Sequence, residues 1–209
     1  YESPEKEGDY SNPTMSRYNN PYDMQRPEAE KSKALSVTFH PEGGNLVMGV
    51  PNRIAFKAIG CDGQGVAVSG MLQIEGQEPI VLETLHEGMG QFTLMPTQKK
   101  YTAEFIHEGK KHSFRLPEPI DKGYTLMTDN LRSELVRGQL KGYAGCPDEL
   151  LGMMLICRGA VNYFDTLSIR GGEASFVIPK EKLSTGVHQL TLFNAEGNVF
   201  AQRHLFISN

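Results

Sequence analysis

Ile54-Ala55-Phe56-Lys57-Ala58-Ile59 decides the fold. Ile54, Phe56 and Ala58 alternate with Ala55, Lys57 and Ile59, and side chains one apart on a strand point to opposite faces. A helix would instead group apolar residues three and four apart. The same period recurs outward from this stretch. Val66, Val68, Leu72 and Ile74 share one parity, Phe92 and Leu94 alternate with Gln91 and Thr93, and Tyr101, Ala103 and Phe105 repeat the pattern. Turn signals separate these runs: Pro41-Glu42-Gly43-Gly44, Asp62-Gly63, Glu75-Gly76, Glu87-Gly88 and Glu108-Gly109. Short strands at this spacing predict an antiparallel β-sandwich.

Leu116-Pro117-Glu118-Pro119-Ile120-Asp121 interrupts the pattern. Proline has no N–H to give to a ladder, so a domain boundary is expected here. Strand patterns resume at 123–128, 133–140, 150–157, 162–169, 173–178, 188–193 and 199–207, with a single helical turn at 180–183. The two halves echo each other. Gly90–Pro96 and Glu173–Pro179 are both strands ending near proline, each followed by an alternating strand, a Glu-Gly turn and a last strand. One supersecondary unit used twice predicts tandem sandwiches over residues 35–118 and 122–209.

Residues 1–34 contain no Leu, Ile, Val or Phe, but four tyrosines and four prolines among charges and Asn. Such a segment cannot bury enough apolar surface to offset its ordering entropy. It is expected to be a disordered arm or linker. A chain that opens on Tyr1 without Met or an apolar leader is expected to be a processed or truncated product, and a strand running directly to Asn209 suggests the same.

Composition narrows the function. The chain has 209 residues and a net charge of −4, against the clustered basic surface that nucleic-acid binding needs. No run of about 18 apolar residues exists to span a membrane as a helix. The 22 glycines and 12 prolines suit a turn-rich β protein. The three cysteines, Cys61, Cys146 and Cys157, are too few for a disulfide-stapled fold. A Cys146–Cys157 bridge stays open, and Cys157, at the end of an apolar run, reads as a small core residue.

Phe39-His40-Pro41-Glu42-Gly43-Gly44-Asn45-Leu46, then Val50–Ala58, then Asp62–Val66 resemble macroglobulin-type sandwich domains. More specifically, they resemble those of large envelope proteins of Gram-negative bacteria, where such sandwiches precede a TonB-receptor plug-like region. Ile178–Val187 and Leu190–Gly197 resemble the next repeat. The resemblance implies a non-catalytic structural or protein-interaction module, exported to the cell envelope (periplasm or outer-membrane surface). Its partners would be other domains of a longer parent chain or another envelope protein.

Chemical motifs are sparse. Cys61 and Gln64 have the spacing of an internal thioester, an activated acyl group. Asp62-Gly63 between two strands reads instead as a β-turn. His107 and His112 flank a Gly-Lys-Lys hairpin tip, which is not the zinc pattern of a helix, and solvated turn histidines are expected. Nothing nominates a catalytic residue, a cofactor site or a metal site. The short basic pairs Lys99-Lys100 and Lys110-Lys111 read as strand-edge lysines. Tyr143, Tyr163 and Phe164 are the candidate contacts for a glycan or partner, because sugar platforms need aromatic faces. Two alternatives to the spacer reading follow. One is an adhesin or fimbria-like subunit whose arm or last strand, Val199–Ile207, adds to a neighbour's sheet. The other is a carbohydrate-binding module.

Overall fold

The computed structural model describes residues 35–131 and 134–208. Residues 1–34, expected as an arm or linker, lie outside the described residues. The described chain is β throughout apart from one 3-10 turn, Lys180–Lys182.

Seven strands build the first sandwich: β1 Ser36–Pro41, β2 Asn52–Ile59, β3 Ser69–Leu72, β4 Ile80–His86, β5 Met89–Leu94, β6 Thr102–His107 and β7 Lys110–Arg115. All pairings are antiparallel, in the order β1-β2-β5-β4-β3-β6-β7. β4 pairs with β3 through Ile80–Glu83 and with β5 through Thr84 and His86, across a register shift. One bulged strand therefore serves both faces and turns the corner between them. The Thr84 hydroxyl holds that corner, accepting from Val68 N at 3.1 Å. The single-parity run from Val66 to Ile74 yields only the four-residue β3, whereas β4 is not legible in the sequence. Its outward positions hold Val81 and Leu85, both exposed, so its apolar residues do not alternate with polar ones.

The inward residues form an aromatic core. Phe56 and Phe105 are fully buried with centroids 5.4 Å apart, flanked by Phe39, Phe92 and Phe114 at 6.2–6.4 Å. Gly90 lies opposite Phe56 on β5. A Cβ there would sit 2.4 Å from both the Phe56 ring and Glu83 O, so only glycine lets this ring lie flat on its neighbour.

The second set of strands is β8 Tyr124–Asp129, β9 Leu135–Gly142, β10 Glu149–Cys157, β11 Ala160–Ile169, β12 Glu173–Pro179, β13 Gly186–Phe193 and β14 Val199–Ile207. They form two antiparallel sheets, β11-β10-β13-β14 and β12-β9-β8. Their inward residues make a separate core from Tyr124 to Ile207, with Leu126, Leu151, Leu155 and Leu190 fully buried. His188, on β13, is fully buried beside this core. Its ring nitrogens lie 3.3 Å from Gly186 O and 3.1 Å from Asn162 Oδ1, so local acceptors replace water.

The proline-rich stretch between the cores is clamped. Ile120 forms a parallel bridge with Val47, donating to Leu46 O at 2.8 Å and accepting from Met48 N at 2.9 Å. Lys99 pairs with Asp121. Asn52, itself buried, ties down the facing loop by bonding Val47 N, Val47 O and Val50 O at 2.7–2.9 Å.

Candidate functional site

The polar chemistry of the described residues concentrates where the two sandwiches meet. Glu42 follows β1 in the Pro41–Gly44 turn. Its side chain is only 3% exposed. Oε1 accepts from Thr128 N on β8 at 2.7 Å and from Thr128 Oγ1 at 3.1 Å, and it lies 3.2 Å from Arg203 Nε on β14. Oε2 lies 3.2 Å from Arg53 Nη1 on β2. Arg53 also reaches Thr128 O at 3.4 Å. One carboxylate thus joins two strands of its own sandwich's side to two strands of the other. Oε2 and Arg203 Nε are buried and have ion-pair distances but no hydrogen bond of good geometry among the described residues.

The turn geometry makes this possible. Gly43 adopts φ +89°, and a Cβ on it would fall 3.1 Å from Leu126 Cβ and 3.2 Å from Leu126 N. Its carbonyl accepts from Gln202 N at 3.2 Å. A left-handed residue without a side chain is what lets this turn press against β8 and β14. A cavity of about 400 Å³ opens beside the junction, walled by His40, Arg53, Gln91, Asp129, Asn130 and Arg203. Glu42 lies at the back of this cavity, its side chain 3% exposed and its oxygens set among guanidinium and amide donors. The chemistry here is anchoring, since a carboxylate held among fixed donors is already satisfied electrostatically.

The aromatic candidates do not come together. Tyr143 lies in the turn after β9, beside Gly49, Val50 and Pro51 of the first sandwich, and lines a second cavity of about 400 Å³ with Cys146. Tyr163 packs inward against the second core, and its hydroxyl donates to Asp165 at 3.1 Å. Phe164, the next residue on β11, points to the outer face with its ring 6.4 Å from Phe193. Alternation along the strand separates the last two.

The remaining motifs resolve into local structure. Cys61 is exposed and all three thiols are free. Asp62 Oδ1 accepts from Gln64 N at 2.9 Å and Gly63 N donates to Gly60 O at 3.0 Å, so the Cys61–Gln64 spacing belongs to a turn. His107 and His112 face each other across the β6–β7 hairpin with ring centroids 6.4 Å apart. No cluster of three metal-ligating side chains occurs among the described residues. Lys110 and Lys111 open β7, an edge strand, and Lys111 pairs with Glu104 at 3.0 Å.

Tyr124, buried at the start of β8, donates to Glu149. Burial, and secondarily the Glu149 carboxylate, raise its pKa far above the usual 10.0. An unfolded tyrosine ionises near pH 10 while the folded one keeps its proton. The stability this group contributes is therefore whole below about pH 10 and is lost as the pH rises beyond it. Urea midpoints of the wild type should fall on passing into that alkaline range, and more steeply than those of Tyr124→Phe. Equal alkaline slopes in the two proteins would contradict the assignment.

No known protein family matches the chain, and no curated protein matches it. Solved structures align with it weakly. Alpha-2-macroglobulin of E. coli is 11% identical with a TM-score of 0.29, over 85% of this chain and 14% of that one. The Yersinia pseudotuberculosis adhesin InvE is 12% identical at 0.29, over 85% and 61%. The tandem Ig repeats of Dlar are 11% identical at 0.30, over 83% and 97%. The chain thus spans a small fraction of the macroglobulin's length. The topology itself is more informative. β1-β2-β5-β4 and β3-β6-β7 follow the ABED and CFG order of a constant-type immunoglobulin sandwich. The chain is an all-β protein with two immunoglobulin-like antiparallel sandwiches in tandem.

Proposed function

We infer that this chain is a non-catalytic spacer and interaction module of a bacterial cell-envelope protein, one that holds other domains at a set distance and angle. The observation that carries the reading is the Glu42 junction. Two sandwiches joined only by a flexible linker would reorient freely, as small domain interfaces usually allow. Here a buried carboxylate, two arginines, a backbone amide and a bridged linker fix the joint. Placement in the envelope, and beside a plug-like region, rests on the sequence resemblance alone.

The geometry bears on both alternatives. β14 is an edge strand, and a neighbour's strand pairing with it would have to displace two bonds already on that edge: Gln202 N donates to Gly43 O, and Phe206 O accepts from Asn130 at 2.8 Å. A glycan platform would need Tyr143, Tyr163 and Phe164 on one surface, and they face three ways. The test is an immunoblot of fractionated source cells with an antibody to this chain. A band far above 23.2 kDa in the envelope fraction is expected. A soluble band near 23.2 kDa would overturn the reading.

A further inference from the structure

We propose that the outer face of the β11-β10-β13-β14 sheet is a self-association surface that seats a second copy of this chain face to face. Outward residues line up across the four strands in register: Phe164, Met154, Thr191 and Gln202 in one row, Val161, Ile156, Gln189 and His204 in the next. Leu150, Val161, Phe164, Val187, Val199 and Phe206 on this face are each 53–63% exposed. Met154, Ile156 and the Phe193 ring, which lies over Gly152, fill the surface between them.

The face carries no Asp, Glu, Lys or Arg at any outward strand position. Asp165 and Arg203, the nearest charges on β11 and β14, have inward parity. Asp165 bonds Tyr163 Oη and Thr166 N, and Arg203 pairs with Glu42. Every other outer face is charged. The opposite sheet of the same sandwich shows Arg137 and the Lys141–Glu173 pair at 3.2 Å. The first sandwich shows Arg53 and Lys57 on β2, and Glu83, Glu104 and Lys111 on the other side.

That contrast selects the occupant. A two-fold interface sets the same patch against itself, so any charge near the axis meets its own copy. Among the described sheet faces this one alone carries no charge on its outward strand positions, so it meets a copy of itself without like-charge repulsion. Monomers seldom expose apolar patches beyond a few hundred Å². Four strands ~4.8 Å apart and about six residues long at ~3.4 Å per residue span roughly 400 Å² per copy. The total, about 800 Å² before side-chain relief, falls below the ~1,200 Å² at which stable specific interfaces begin and in the range of weak, transient contacts, so the dimer is weak and reversible.

The test is sedimentation equilibrium of the full chain from low micromolar to near-millimolar concentration. The expected result is a mass rising reversibly toward twice 23.2 kDa. Phe164→Lys, or Val161→Lys should the first not fold by circular dichroism, sets like charges against each other. Either should weaken the dimer by more than about tenfold. Val81→Lys, equally exposed on the first sandwich, should leave it unchanged. A monomer at every concentration overturns the proposal, as does a dimer indifferent to both lysines or lost with Val81→Lys. These readouts do not depend on where the parent protein resides, so they stand apart from the fractionation result.

Discussion

Glu42→Gln is expected to destabilise the protein by about 3 kcal/mol and to split its unfolding into two steps. The neutral amide still accepts from Thr128 N, but it places an N–H₂ group toward a guanidinium that has lost its counter-charge. Breaking a buried ion pair by removing one member costs about 3–5 kcal/mol, because the partner charge is left uncompensated. The arginines are 41% and 36% exposed, so water screens part of the loss and the lower end applies. The wild type should unfold in a single transition, since the junction couples the two cores. The variant should show two, with small-angle scattering reporting a broader spread of inter-sandwich orientations in native buffer. A variant that melts as one unit within about 0.5 kcal/mol of the wild type would show that the carboxylate is not the coupling element.

Phe56→Ala should cost more, about 3–5 kcal/mol, and the damage should stay in the first sandwich. Phe56 touches the rings on β1, β5 and β6 and also covers the bare backbone of Gly90. Truncation opens a cavity and exposes that backbone at once. No neighbour can collapse into the space, since the surrounding rings are themselves held by β-sheet registers. For a domain stable by ~5–15 kcal/mol this is a large share. Because this loss is as large as what the junction contributes, the first sandwich should open on its own, and amide exchange should show β2, β5 and β6 losing far more protection than β10 and β13, which lose only the junction's share. Uniform loss across both sandwiches, or a cost below about 1 kcal/mol, would refute the picture of two separate cores.

Period-two patterning named the inner face of most strands without any structure. Ile54, Phe56 and Ala58 are buried as the alternation requires, as are Phe92, Leu94, Tyr101, Ala103 and Phe105. Turn chemistry was as legible: Asp62-Gly63 forms the expected turn, and Glu108-Gly109 joins β6 to β7. These features are local, fixed by the pleat and by which residues tolerate a left-handed backbone. β4 escaped because Val81 and Leu85 occupy its solvent side, which erases the alternation.

The junction was legible only as a turn. Pro41-Glu42-Gly43-Gly44 announces a chain reversal, but nothing near Glu42 says that its carboxylate will meet Thr128, 86 residues away, and Arg203 beyond that. The charge-free face has the same origin, since its members come from four strands separated by loops and become one surface only through register. By itself the sequence determined most strands, the turns between them and the all-β class, because those follow from neighbours along the chain. The tertiary structure alone decided which charges are buried, which aromatics share a surface and which face is left apolar, because those depend on residues that only sheet pairing and sandwich docking bring together.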